Sequence, residues 1–281
     1  MLPLTALLGV LAMPSMLLGS APLPTMPPAP AALTCRYPAQ VLDLANWKIT
    51  LPVAKPGDPT SPLEVKQPQL RTYSNSPYFV ASSRCDSVTF RAPVKGVTTP
   101  GSTYPRSELR EMANNGANNA TWSSTLGTHR ITATEAFTAL PKVKPHLVGL
   151  QVRDANDDLS AFRLEGSNLY ITDGNNSHYK LVTDLYTLGT RFEAKFEVSG
   201  GMIRAYYNGV LQATLLKVFT GGYFKAGAYT QANCTNSSPC SSDNYGSTAI
   251  YKLTLFHQLP ALNQMLPPVT VPVPSVGLMP Y

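Results

Sequence analysis

Between about residue 43 and residue 258 the chain is written in short alternations of apolar and polar positions, not in helical turns. NWKITLPV, SVTFRAPV, SELREM, HRITATEAFTAL, HLVGLQVRD, SAFRLEGSNLYITDG, TRFEAKFEVSGGMIRAYYNGVLQATLL, YFKAGAYTQ and AIYKLTLFH read as strands, and Gly, Pro, Asn and Ser punctuate them. No stretch keeps a helical apolar period over three turns. Asn208-Gly209, between RAYY and VLQAT, predicts a hairpin with a type I′ turn. The pattern predicts an all-β domain over 35–258, an antiparallel two-sheet β-jelly-roll sandwich. No repeat at a fixed period favours a propeller or a β-helix.

Strand parity sorts the side chains into two faces. In LVGLQVRD, regular alternation puts Gln151 and Arg153 on the open face with Leu147 and Gly149, and turns Val148, Leu150 and Val152 inward. In YPRSELREM, Arg106, Glu108 and Arg110 share one face, and Ser107, Leu109 and Glu111 the other. A carboxylate between two guanidiniums can hold both by charge-assisted hydrogen bonds. An ordinary surface ion-pair ladder would look the same. In YFKAGAYTQ, Tyr223, Lys225, Gly227, Tyr229 and Gln231 share a face opposite Phe224, Ala226, Ala228 and Thr230. Three strands thus carry ionisable or amide groups on one open face. A sandwich would use such a face as a site.

The two ends differ from this domain. Residues 1–34 hold no charged side chain. Their opening reads as a signal peptide over 1–20, followed by a Pro-rich spacer at 21–34. A second Pro-rich segment occupies 259–281, where it cannot pair as a central strand. Four cysteines lack the C-x-x-C spacing of zinc or redox sites. Cys234–Cys240 closing a short loop and Cys35–Cys85 tying down the N-terminal segment are the favoured pairs, of three possible pairings. N-x-S/T triplets at Asn119, Asn175, Asn233 and Asn236 fit a secreted glycoprotein. The net charge of +6 and pI near 9.1 suit a polyanionic partner. No basic run or nucleic-acid-binding signature points to DNA or RNA. The expectation is a secreted, extracellular monomer without a membrane anchor after signal cleavage, acting on an acidic polysaccharide.

RSELR (106–110), QVR (151–153) and YFKAGAYTQ (223–231), in this order, resemble the three signature segments of polysaccharide lyase family 7, the alginate lyases. The likeness extends through NWKITLPV, FRLEG, LGTRFEAKFEV, IRAYYNG and YKLTLFH, over about residues 43 to 258. It implies a β-jelly-roll lyase that breaks a uronate polymer by β-elimination: a base removes the C5 proton and an acid protonates the leaving O4. Implied catalytic residues are Tyr229 for proton transfer, with Arg106 and Gln151 on the substrate carboxylate, where charge develops in the transition state. Arg110, Lys225, Glu108, Arg153, Gln231 and Tyr223 are implied to bind or position the chain. No cofactor or metal is expected.

The sequence departs from this pattern at one position: the family's middle motif ends in histidine, and here Arg153 stands there. A guanidinium is always protonated and cannot act as base. The resemblance assigns the histidine to uronates whose C5 proton and leaving group lie on opposite faces, as in guluronate. Where both lie on one face, as in mannuronate or glucuronate, tyrosine alone serves, and neighbouring cations would favour its phenolate. The expectation is therefore a lyase for D-configured uronates, mannuronate-type alginate or glucuronan. No other histidine is expected to replace the base: parity turns His146 toward the core, and His129, His178 and His257 fall in no motif. Two rivals remain. A glycoside hydrolase needs two flanking carboxylates, and the motif faces supply only Glu108. A non-catalytic polysaccharide-binding protein would have no use for Tyr229. Asp157 and Asp158 read as turn residues, and Trp47 as core, while Trp122 is open to sugar stacking.

Overall fold

The computed structural model describes residues 34–259. The expected signal peptide at 1–20, nearly all of the spacer and nearly all of the C-terminal segment lie outside them. Strands are numbered in chain order. One sheet runs, in spatial order, β11 (Asn176–Thr183), β10 (Asn168–Asp173), β9 (Asp158–Glu165), β8 (His146–Arg153), β15 (Tyr223–Thr230), β5 (Arg106–Ala113), β1 (Trp47–Lys55) and β2 (Asp58–Val65), with the short β6 (Asn118–Asn119) paired to β5. The other runs β14 (Val210–Leu216), β13 (Met202–Tyr207), β12 (Phe192–Ser199), β7 (Thr128–Ala139), β16 (Tyr245–Gln258), β4 (Val88–Pro93) and β3 (Phe79–Ala81). All pairings are antiparallel, as the alternation predicts, and the sandwich is a β-jelly roll. Among the described residues, helix is limited to two short 3₁₀ segments, Pro38–Gln40 and Gln69–Thr72. No helix among the described residues is long and apolar enough to cross a membrane.

The strands form where the sequence alternates, because one face can be buried while the other meets water. In β12, Phe192, Ala194, Phe196 and Val198 are buried, and Glu193, Lys195 and Glu197 between them are not. Their apolar faces meet Ile131 and Ala133 of β7, Leu109 of β5 and Phe224 and Ala226 of β15 in one core between the sheets. Trp47 joins this core at 2 % exposure. Asn208 and Gly209 have φ of 49° and 79°, the positive pair that a type I′ turn requires. Both expected disulfides form, Cys35–Cys85 and Cys234–Cys240. Sequence reading missed the short β3 and β6, and also β2 and β11, which lie at the two edges of the site-bearing sheet. Pro59 and Pro62 break the pattern of β2, and an edge strand is where proline is tolerated.

Parity fails in β8. Val148 stands opposite Arg163 and Gln151 opposite Ala161, so three steps on β8 match two on β9. The extra residue is a β-bulge at Gly149–Leu150. It leaves Gln151 and Arg153 on the open face but exchanges the residues before them. Leu147 lies in the core, contrary to expectation, and Val148 packs on the open side against Tyr229 and Ala161. Gly149 faces inward, and His146 is on the open side, not toward the core. On β15 the pairing with β8 shifts between Lys225 and Tyr229, around Gly227.

Gly227 has φ of 143°, and a Cβ there would lie 2.5 Å from Ser107 O and 2.9 Å from Glu108 Cα. Both the conformation and the space demand glycine. Gly227→Ala is expected to destabilise the domain by about 1–3 kcal/mol from backbone strain alone, with the contact adding to it. Urea denaturation checks this, and an unchanged midpoint would show that the strand relaxes freely.

Candidate active site

The site is built on the open face of β5, β15 and β8, three adjacent strands. At its centre is Glu108, 1 % exposed. Its Oε2 accepts from Lys225 Nζ at 2.6 Å and from Arg106 Nη1 at 3.2 Å, and its Oε1 accepts from the Gln151 amide. One carboxylate thus ties together the three strands that carry the motifs. Burial works to raise the Glu108 carboxyl, but Lys225 and Arg106 outweigh it and hold it below the usual glutamate range. Burial shifts Lys225 in the opposite direction: with Arg106 and Arg153 nearby, its ammonium is pulled down to about 7 despite Glu108.

The expected ladder of two arginines on Glu108 is corrected here. Arg110 turns away and donates to the carbonyls of Glu111 at 2.6 Å and Ala120 at 3.4 Å, with its guanidinium 4.0 Å from the Tyr223 ring centroid. Lys225 takes its place on Glu108. Gly227 lies directly opposite Glu108 and contributes no side chain there.

Arg106 leads to Tyr229. Its guanidinium lies 3.9 Å over the Tyr229 ring, and its Nη2 donates to Ser102 Oγ at 3.1 Å. Ser102 Oγ in turn is 3.1 Å from the Tyr229 hydroxyl. A cation therefore sits on the ring face and a hydroxyl on the phenol oxygen. Arg106, Arg110, Arg153, Tyr223, Lys225 and Tyr229 line one cavity of about 420 Å³. Tyr229, Gln151 and Gln231 line a neighbouring one of about 170 Å³, together with Arg163. The structure thus gathers all nine site residues expected from the sequence, with Glu108 buried beneath them.

Arg153 is held by an ion pair to Asp158, and its Nε donates to the Tyr223 hydroxyl at 3.3 Å. Asp158 is therefore more than a turn residue; Asp154 supplies the turn, accepting from the amides of Asn156 and Asp157. Ser102, Lys48, Glu64 and Asp158 also line the larger cavity, and none was found from the sequence. No local pattern marks them, because they come from a loop, from the other face-sharing strands and from the far end of β9. The cleft thus holds more carboxylates than the motif faces supply. Glu64, however, is bound by Lys48 Nζ at 2.8 Å and kept below its usual range despite burial, and Asp158 is paired to Arg153. Neither is set up as the protonated acid of a hydrolase.

The histidines stay outside. His146 reaches the open side through the bulge, but its Nδ1 lies 3.0 Å from Arg163 Nη2. The same nitrogen lies 3.3 Å from Glu165 Oε1, so the ring is held between this guanidinium and this carboxylate. Burial keeps this histidine below its ordinary range. His178 binds Glu165 at 2.9 Å. His129 and His257 pack with Trp122, whose ring stacks on His129 at 4.4 Å and whose Nε1 donates to Glu111. Trp122 is thus committed to this cluster and not to a sugar-binding face.

A sandwich whose open sheet carries cationic and amide donors around a phenol defines a class, the β-jelly-roll polysaccharide lyases. The chain belongs to the alginate lyase family, whose model matches residues 42–257. It is similar to the crystal structure of an alginate lyase from a Corynebacterium species, at 57 % identity and a TM-score of 0.77, over 80 % of this chain and all of that one. The alginate lyase AlgAT5 of polysaccharide lyase family 7 is 44 % identical, with a TM-score of 0.74, over 79 % of this chain and 99 % of that one. A curated alginate lyase of Klebsiella pneumoniae is 33 % identical over 89 residues, 31 % of this chain, and the match spans 28 % of that relative's length.

Removing the central carboxylate should expose how much it holds. Glu108→Gln leaves two buried cations unpaired and is expected to cost about 3 kcal/mol, the low end for a broken buried pair because Lys225 can shed its proton. The pH dependence has a fixed sign. A carboxyl lowered on folding contributes stability above its unfolded range and loses it as pH falls through the folded value. Denaturation at neutral and acid pH should show the variant losing less stability than the parent on acidification. Parallel acid curves would rule out Glu108 as that contributor.

Proposed function

We propose that this protein is a secreted alginate lyase that cleaves uronate chains by β-elimination. It prefers D-configured uronates, mannuronate-type alginate or glucuronan, with Tyr229 as both base and acid. The observation that carries the reading is the circuit Glu108–Arg106–Ser102–Tyr229 with Gln151 and Lys225 attached, beside an ion-paired Arg153. Export is supported by the two disulfides, which persist in oxidising compartments.

In this mechanism the substrate carboxylate is met by Arg106 and the Gln151 amide, whose donors neutralise the charge that spreads onto it as the C5 proton leaves. Glu108 keeps both donors aimed without touching substrate. The Tyr229 phenolate, with the Ser102 hydroxyl on its oxygen, takes the C5 proton. The C4–O4 bond then breaks as the C4–C5 double bond forms, and the same phenol returns its proton to the departing O4. A proton and a leaving group on one face of the sugar suit a single proton carrier. Arg110, Tyr223 and Lys48 offer contacts for neighbouring sugars, and Arg153 can donate to a carboxylate but accept nothing.

Assays with separate polymannuronate, polyguluronate and glucuronan, followed by the ultraviolet absorbance of the unsaturated product, test this reading. Signal on a D-uronate polymer with little on polyguluronate is the expected result; strong polyguluronate cleavage would refute the single-carrier mechanism. Tyr229→Phe should lower turnover by about 10²–10⁴-fold while leaving polymer binding in place. Binding without turnover in both proteins would make this a polysaccharide-binding protein. Arg153→His is expected to add polyguluronate cleavage, read in the same assay.

A further inference from the structure

One ionisable group in the core has no part in the chemistry above. Glu135 sits on β7, in the sheet opposite the site, at 0 % exposure. Its neighbours across the sheet are Phe192 and Ile250. Neither carboxyl oxygen completes a hydrogen bond among the described residues. Both are directed at the β8 bulge: a Cβ on Gly149 would lie 2.9 Å from Oε1 and 3.1 Å from Oε2, and the Leu150 amide is the backbone group acting on the carboxyl. The bulge is where β8 changes parity, between Val148, which packs on Tyr229, and Gln151, which reaches Glu108.

We propose that Glu135 is a positioning residue for the elimination: its side chain fills the space under Gly149 and fixes the bulge that turns Gln151 and Val148 together onto the cleft beside Tyr229. The proposal rests on the lyase reading of this site. A carboxylate in this place would be charged, buried and unpaired, which is prohibitive. Burial pushes the group up to about 8, so it resides in the core as the neutral acid. The titratable neighbour that its charge reaches is Tyr186. That hydroxyl is already engaged, donating to Thr190 O at 2.6 Å and accepting from the Phe137 amide at 3.0 Å. No cation faces Glu135 among the groups acting on it. Ionisation would therefore press a charge against the bulge, and the site would feel it.

The test compares the full-length protein with Glu135→Gln and Glu135→Val, on whichever uronate polymer the unaltered protein cleaves. Glu135→Gln, a neutral isostere, should keep kcat within about twofold at neutral pH. It should also lose the fall in kcat that the parent shows, while still folded, above pH of about 8. Glu135→Val fills the volume without the polar head, and should lower kcat about tenfold or more with KM little changed, as misplaced groups do. A folded Glu135→Val with parental kcat overturns the proposal. If that variant does not fold, the same alkaline fall in Glu135→Gln and in the parent overturns it. A carboxyl raised on folding makes stability decline as pH rises from its unfolded range to about 8. The Gln variant should therefore gain on the parent over that range, and equal slopes would exclude a buried neutral acid. Cleavage of no polymer by the parent would count against the elimination itself, and the stability slopes report on Glu135 independently of that result.

Discussion

The site depends on one carboxylate that water does not reach. Glu108 binds Lys225, Arg106 and Gln151 at once, so it joins β5 to both β15 and β8. Three strands brought together by backbone pairing alone would fix spacing, but not where a flexible arginine or lysine points. The buried charge does that, since leaving any of its partners unpaired costs several kcal/mol. The arrangement also keeps a cationic cluster from repelling itself: +6 of net charge would otherwise oppose gathering Arg106, Arg153 and Lys225 in one cleft.

From that anchor the chemistry follows by short contacts. Arg106 is shared between Glu108, Ser102 and the face of the Tyr229 ring. The guanidinium that binds Glu108 is thereby the one that lies on the Tyr229 ring. Arg153 stands apart, tied to Asp158 and Tyr223 at the far end of the same strand as Gln151. Its guanidinium is a fixed charge that can donate but not accept.

Backbone irregularities place these groups as much as regular pairing does. Gly227 lets β15 pass β5 closely opposite Glu108. The Gly149–Leu150 bulge lets β8 present Val148 and Gln151 on one face although they are three positions apart. Both features sit between residues that line the cleft, Lys225 and Tyr229 on β15 and Val148 and Gln151 on β8, and strained or bulged segments gather at such places.

The sequence by itself determined the sandwich, the hairpin at Asn208-Gly209, the faces of β5 and β15, and the residue types of the site. It could do so because alternation in a regular strand is a local property: Arg106 and Glu108 share a face whatever the rest of the chain does. Tertiary structure decided the rest. Parity misplaced Leu147, Val148, Gly149 and His146, since one inserted residue reverses every face before it and leaves no local mark. Spacing suggested that Glu108 would hold Arg110, and packing gave it Lys225 from a strand 117 positions away. Ser102, Glu64 and Asp158 enter the cleft by long-range folding, and Glu135 reads in sequence like any polar position of an alternating strand. Which polar side chain ends up buried, and against what, is set by the opposite sheet, and only the folded chain supplies it.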